Sequence, residues 1–165
     1  MLILSDFSTS VRKAFEEIDP PWDTYPGLVV CGSHSPHEAE EIIDQIRVAR
    51  ETGLPFYGEC YGHQLACIEW ARNKMGMRDA TSEEFGHGTF VVKKRPELKV
   101  GLHDGESWWS NYEVIEEVEK DFMEHHPPHM ITAPFHPSYQ SSKDRQHPLL
   151  VHFIEICRVY SNMLK

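Results

Sequence analysis

The chain predicts an α/β domain: a mostly parallel sheet with helices on both faces and a small antiparallel β insertion. Short apolar runs that end at a glycine or a turn alternate with helical patterns, which is the order of βαβ units. The segment 88–115 breaks that order and alternates like antiparallel hairpins. A last apolar run and a closing amphipathic helix return to the first pattern.

The elements follow in chain order. Residues 2–6 (LILSD) form a short apolar strand. Residues 8–18 (STSVRKAFEEI) form a helix, with Ser8 or Ser10 as its cap and Val11, Ala14, Phe15 and Ile18 on one face. A turn-rich connection (DPPWDTYPG) leads to a buried strand, LVVCG, that ends at Gly32. The next helix opens on Ser35 and Pro36, places Ala39, Ile42, Ile43, Ile46 and Ala49 on one face, and stops at Gly53. LPFYG is the next strand, and GHQLACIEWARNKMG the next helix, stopping at Gly76. EEVEKDFMEHH reads as an exposed helical face, PHMITAPF as a strand, and HPLLVHFIEICRVYSNMLK as the closing helix.

Composition bounds the function. With 165 residues the chain suits a single domain, 1–165, able to bury a proper core. A net charge of −10 repels phosphate backbones, so no nucleic acid partner is expected. No apolar run approaches the roughly 20 residues that span a bilayer, and the N-terminus lacks the marks of a signal peptide, so no membrane partner is expected. Cys31, Cys60, Cys67 and Cys157 are scattered through apolar contexts, which fits a reducing cytoplasmic setting better than a disulfide framework.

One cysteine stands apart. Cys60 lies in Gly58-Glu59-Cys60-Tyr61-Gly62, between the end of a strand and the start of a helix. A nucleophile in such a turn is held in a tight, strained conformation, and the glycines let neighbouring backbone approach. The helix aims its N-terminus at the sulfur, where its dipole and N–H groups favour a thiolate and hold an oxyanion. The plain alternative, a buried apolar cysteine, suits Cys31, Cys67 and Cys157. Glu59 belongs to the turn through its backbone, and the sequence assigns its side chain no role.

The segment GECYGHQLACIEWARNKMGMRDATSEEF resembles the glutaminase domain of the CTP synthase branch of the class I glutamine amidotransferases. Gly58, Cys60, Gly62 and Gln64 match that family's Gly-x-Cys-x-Gly-x-Gln turn, and FHPSYQSSKDRQHPLL is similar to its His-Pro-Glu motif and following HPL. The resemblance implies a flavodoxin-like, amidotransferase-like α/β fold. It implies Cys60 as nucleophile and His136 as base, acting on the side-chain amide of glutamine through a thioester. It places the oxyanion donors at Tyr61 and Gly32, and substrate contacts at Gln64, Glu84, Asn111 and Tyr112. No cofactor is implied, and the partners implied are a small-molecule amide and a separate synthetase subunit; a homo-oligomer is left open. No Gly-x-x-x-x-Gly-Lys-[Ser/Thr] run is present, so no synthetase domain is expected in the chain.

Three positions depart from the family pattern. Ser138 stands where the third triad member is a glutamate. A serine can orient an imidazole but not stabilise its charge, and that loss reduces turnover by up to about 10⁴-fold in a serine protease triad. Asn111, beside Trp108 and Trp109, stands where the family has an arginine, and asparagine cannot grip a carboxylate as arginine does. Ser33, His34 and Ser35 replace a run of glycines after Gly32. Glu106, Glu113 and Asp144 are the acids considered as substitutes at His136.

Three functions therefore remain open: a weakened amidohydrolase, an inactive pseudoenzyme kept for binding or regulation, and a cysteine hydrolase of a different amide. A metal site built from His125, His126 and His129, from His34 and His37, or from Cys60 and His63 is a weak alternative, because no CxxC pair is present and prolines interrupt the histidine cluster.

Overall fold

The computed structural model describes residues 1–4, 8–33 and 38–165. Four strands form an all-parallel sheet in the order β1-β2-β3-β7: β1 Leu2–Leu4, β2 Leu28–Val30, β3 Phe56–Glu59 and β7 Met130–Ala133. The helices α1 Thr9–Ile18 and α5 Pro148–Met163 cover one face. The helices α2 Ala39–Thr52, α3 Tyr61–Asn73 and α4 Glu116–His125 cover the other. Side chains alternate across β3, so Phe56 joins the α2/α3 core while Tyr57 joins the α1/α5 core. Glu59, two residues after Tyr57, lies on the Tyr57 side, as its hydrogen bond to the Tyr57 hydroxyl confirms.

Helix α2 buries Ala39, Ile42, Ile43, Ile46 and Ala49, the five positions its spacing predicts, and ends at Gly53 with φ of 78°. The Ser35 cap and Pro36 lie outside the described residues, as does the end of the first predicted strand. In α1 the N-cap position is Ser8, whose side chain makes no capping bond. Ser10 turns its hydroxyl to Ser138 instead, 3.0 Å away.

The insertion is a second sheet in the order β4-β5-β6, with β4 Ala80–Ser82, β5 Thr89–His103 and β6 Glu106–Val114. β5 and β6 pair antiparallel, as expected. They turn through Asp104 and Gly105, both at positive φ, as a tight two-residue hairpin requires. The register shifts between Lys94 and Lys99, around Pro96, which has no N–H for the ladder. β4 is an addition to the expected hairpin: it pairs parallel to β5, so the small sheet is mixed.

The hairpin is fastened to the segment that follows β7. The His136 N–H donates to the Ser107 carbonyl at 2.7 Å, and Gln140 Nε2 donates to the Gly105 carbonyl at 2.6 Å. His147 Nε2 lies 3.1 Å from Glu106 Oε2. No helix among the described residues is long and apolar enough to cross a membrane.

Candidate active site

Cys60 occupies the junction of β3 and α3 with φ of 55° and ψ of −99°. It is one of two non-glycine residues among the described ones with positive φ, the other being the hairpin's Asp104. A β-carbon on Gly58 would sit 2.9 Å from the Gly62 backbone, and one on Gly62 would overlap the Val30 carbonyl oxygen. The two glycines thus let the end of β2 and the first turn of α3 touch. That contact brings the segment after Val30, including Gly32, beside the sulfur-bearing turn. Gly62→Ala is expected to force the helix and β2 apart and to cost about 1–3 kcal/mol, as overpacked cores do. A urea unfolding curve checks it, the midpoint falling with an unchanged slope.

Several predicted residues share one pocket. Ser33, Cys60, Tyr61, Gln64 and Glu84 line it together with Trp109, Ser110, Asn111 and Tyr112 from β6. Trp108 does not line it; its ring packs 5.7 Å from Phe135 and carries the Lys99 ammonium 3.4 Å above it. Gly32 is buried at the end of β2, next to Ser33. His34 and Ser35, the rest of the altered glycine run, lie outside the described residues. No lysine or arginine is among the described residues that line the pocket.

His136 follows β7 and is 4% exposed. Its ring stacks on Tyr139, with centroids 4.3 Å apart and planes 4° from parallel. The Trp109 carbonyl faces both Cys60 and His136, 3.5 Å from Cys60 Sγ and 3.3 Å from His136 Nε2. Strand β6 is therefore the wall of the site directly against the thiol and the imidazole.

None of the three acids considered from the sequence meets His136. Glu106 binds His147, Glu113 binds Arg95, and Asp144 lies in an exposed turn. The carboxylate that does reach it is Glu59. Glu59 Oε1 lies 3.1 Å from His136 Nδ1, with the glutamate 1% exposed. The Ser138 hydroxyl donates to the same oxygen at 2.7 Å, and the Ser138 N–H donates to Oε2 at 3.2 Å. The Tyr57 hydroxyl donates to Oε2 at 2.8 Å. Because the Ser138 proton points at Glu59, the Ser10 hydroxyl donates to Ser138. Sequence reasoning missed Glu59. The signal was a charged residue inside an otherwise apolar buried strand, which demands partners.

The family model for glutamine amidotransferase class-I matches residues 6–156. The chain belongs to the class-I glutamine amidotransferase family. Among curated proteins this chain is similar to CTP synthase of Methanoregula boonei, 31% identical over 81% of this chain and 34% of that protein. It is also similar to CTP synthase of Brucella ovis, 43% identical over 45% of this chain and 14% of that one. The chain thus spans about a third of the length of the curated relatives it matches most extensively. A solved glutaminase domain of Trypanosoma brucei CTPS with bound acivicin shares the fold, with a TM-score of 0.76 over 96% of this chain and 94% of that one at 18% identity.

His63, His125 and His126, outside the site, have structural partners. His63 is fully buried, with Nδ1 3.0 Å from Thr132 Oγ1 and Nε2 3.1 Å from Glu119 Oε1. His125 Nδ1 meets the Asp121 carbonyl, and His126 stacks on Phe122. Among the described residues no group of three His, Cys, Asp or Glu side chains is arranged to hold a metal ion. His34 and His37 lie outside them.

The His136 environment has a measurable consequence. Burial pulls its pKa down, but hydrogen bonds and charge from Cys60 and Glu59 outweigh burial and push it up to about 10. A group whose pKa is raised on folding stabilises the native state below its unfolded pKa and loses that contribution as pH rises through the folded value. The contribution of His136 is therefore complete below about pH 6.5, the ordinary histidine value. It fades as pH rises towards about 10. The stability difference between the parent and His136→Asn is expected to shrink across that window, measured by urea midpoints at stepped pH.

Proposed function

We propose that this chain hydrolyses the amide of glutamine, or of a related molecule, with Cys60 as nucleophile and His136 as acid and base. The observation that carries the proposal is Cys60 held at positive φ at the start of α3, with its sulfur and the buried His136 ring both against the Trp109 carbonyl. The thiolate attacks the amide carbon, and the N–H groups at Tyr61 and Gly32 receive the negative oxygen. The C–N bond breaks as the His136 imidazolium gives its proton to the departing ammonia. The neutral imidazole then takes a proton from water, whose oxygen attacks the thioester; the C–S bond breaks, a carboxylic acid is released, and the thiolate and imidazolium are restored. Gln64, Glu84, Asn111 and Tyr112 hold the substrate. The similarity to CTP synthases supports ammonia as the product and a synthetase as its consumer.

A second reading concerns the substrate. Asn111 lines the pocket where the family's pattern places an arginine, and the charged side chain described there is Glu84. Such a lining favours an amide that carries an amine but no carboxylate. Ammonia release from glutamine and from 4-aminobutyramide, each with the parent protein and with Cys60→Ala, tests both readings. Cys60-dependent release from glutamine supports the family reaction. Cys60-dependent release from 4-aminobutyramide alone supports the altered pocket. Release from neither sinks both and leaves a binding module.

A further inference from the structure

The catalytic triad of this family is completed by a carboxylate two residues after the histidine, yet that position is Ser138 here. We propose that Glu59, the residue immediately before the nucleophile, is the positioning carboxylate of His136, so that the third member of the triad has moved from the loop after β7 to the end of β3. The proposal rests on the Cys60–His136 pair being the reacting pair.

The geometry carries it. Glu59 Oε1 meets His136 Nδ1 at 3.1 Å, the ring atom opposite the one that faces Trp109 and the site. That is the contact a triad acid makes: it fixes the proton on Nδ1, leaves Nε2 for the chemistry, and steadies the imidazolium. The carboxylate does not wander, because Tyr57, Ser138 N–H and the Ser138 hydroxyl hold it from three further directions. Ser138 thus has a role that its position alone does not reveal. A short hydroxyl leaves space for the incoming glutamate and donates to it. The glutamate absent after His136 and the glutamate present before Cys60 then amount to one change of a carboxylate's place, from the loop after β7 to the end of β3. The other groups facing the ring are the Cys60 sulfur, the Trp109 carbonyl and the stacked Tyr139. None of these is a carboxylate.

A merely structural Glu59 would tie Tyr57 to Ser138 and leave the chemistry of His136 alone. The experiment that separates the roles follows the His136 ring by NMR against pH in the parent, in Glu59→Gln, and in the double variant Glu59→Gln with Ser138→Glu. It is paired with the rate of Cys60 alkylation by iodoacetamide in the same proteins. Glu59→Gln keeps the size, removes the charge and turns one of the two acceptor oxygens into a donor. The expected result is a His136 that titrates at clearly lower pH in Glu59→Gln. Cys60 alkylation at pH 7 should slow about tenfold or more, since the thiolate depends on its cationic neighbour. The double variant, with a carboxylate at the family's position, should recover both. Any amide turnover found should fall in Glu59→Gln by about 10²–10⁴-fold, as when a triad acid is made neutral. An unchanged His136 titration in folded Glu59→Gln would overturn the proposal. Should Glu59→Gln not fold, the double variant decides: recovery of the parent's titration and alkylation supports the exchange, and a folded double variant with an ordinary His136 refutes it. These readouts need no substrate, so a failure of the amide reaction itself is distinguishable from a failure of Glu59.

Discussion

Ser138→Glu is expected to destabilise this protein severely rather than repair its triad. By family pattern alone the substitution restores the missing acid. In the structure it drives a second carboxylate against the first, because Ser138 Oγ already lies 2.7 Å from Glu59 Oε1 with both residues buried. The new side chain removes a hydroxyl donor from Glu59 and adds a charge with no cation of its own. An uncompensated buried charge costs about 3–5 kcal/mol, which is a large part of the roughly 5–15 kcal/mol that holds a domain together. Two carboxylates sharing a site cannot both ionise cheaply, so one takes up a proton. The loss should therefore be smaller at acidic pH than at pH 8. Urea midpoints of the parent and Ser138→Glu at both pH values check this. Adding Glu59→Gln should restore stability, and the excess over additivity measures the coupling of the two positions.

The second large effect is on the reaction. Cys60→Ala and Cys60→Ser are each expected to abolish amide turnover, by about 10⁴-fold or more, as removing a covalent nucleophile does. Serine keeps the hydrogen bond to the Trp109 carbonyl but needs a stronger base than a thiol needs. Stability should change far less than the rate, since the sulfur offers a 3.5 Å hydrogen bond to the Trp109 carbonyl and its electrostatic pairing with His136. Thermal melts and rates on the same preparations separate the two quantities. A melt that falls with the rate would mean that Cys60 is packing rather than chemistry.

The sequence was most legible where a periodic pattern coincides with burial. The five buried positions of α2 and the Gly53 stop follow directly from helical spacing. The elbow at Cys60 follows from its two glycines, and the coordinates show why neither can carry a β-carbon. β4 was not legible, because Ala80, Thr81 and Ser82 are too few and too polar to read as a strand; their pairing to β5 makes them one. Glu59 was the costliest omission. Its neighbourhood to His136 and Ser138 joins residues 77 and 79 positions apart. No local pattern encodes that meeting. What local sequence does supply is the conflict: a carboxylate between Gly58 and Cys60, on a strand buried on both faces, must have found donors somewhere. Trp108 and Trp109 divide in the same way. Alternation along β6 sends one ring to Phe135 and leaves the other at the pocket, a distinction that depends on the register with β5.

Whether Cys60 is an activated nucleophile paired with His136 is decided by the rate of its alkylation by iodoacetamide at pH 7, read at Cys60 by mass spectrometry. Cys60 should label rapidly and ahead of Cys31, Cys67 and Cys157, although all four are buried, and His136→Ala should slow it about tenfold or more. Labelling of Cys60 as slow as that of the other three cysteines, and indifferent to His136→Ala, would contradict it.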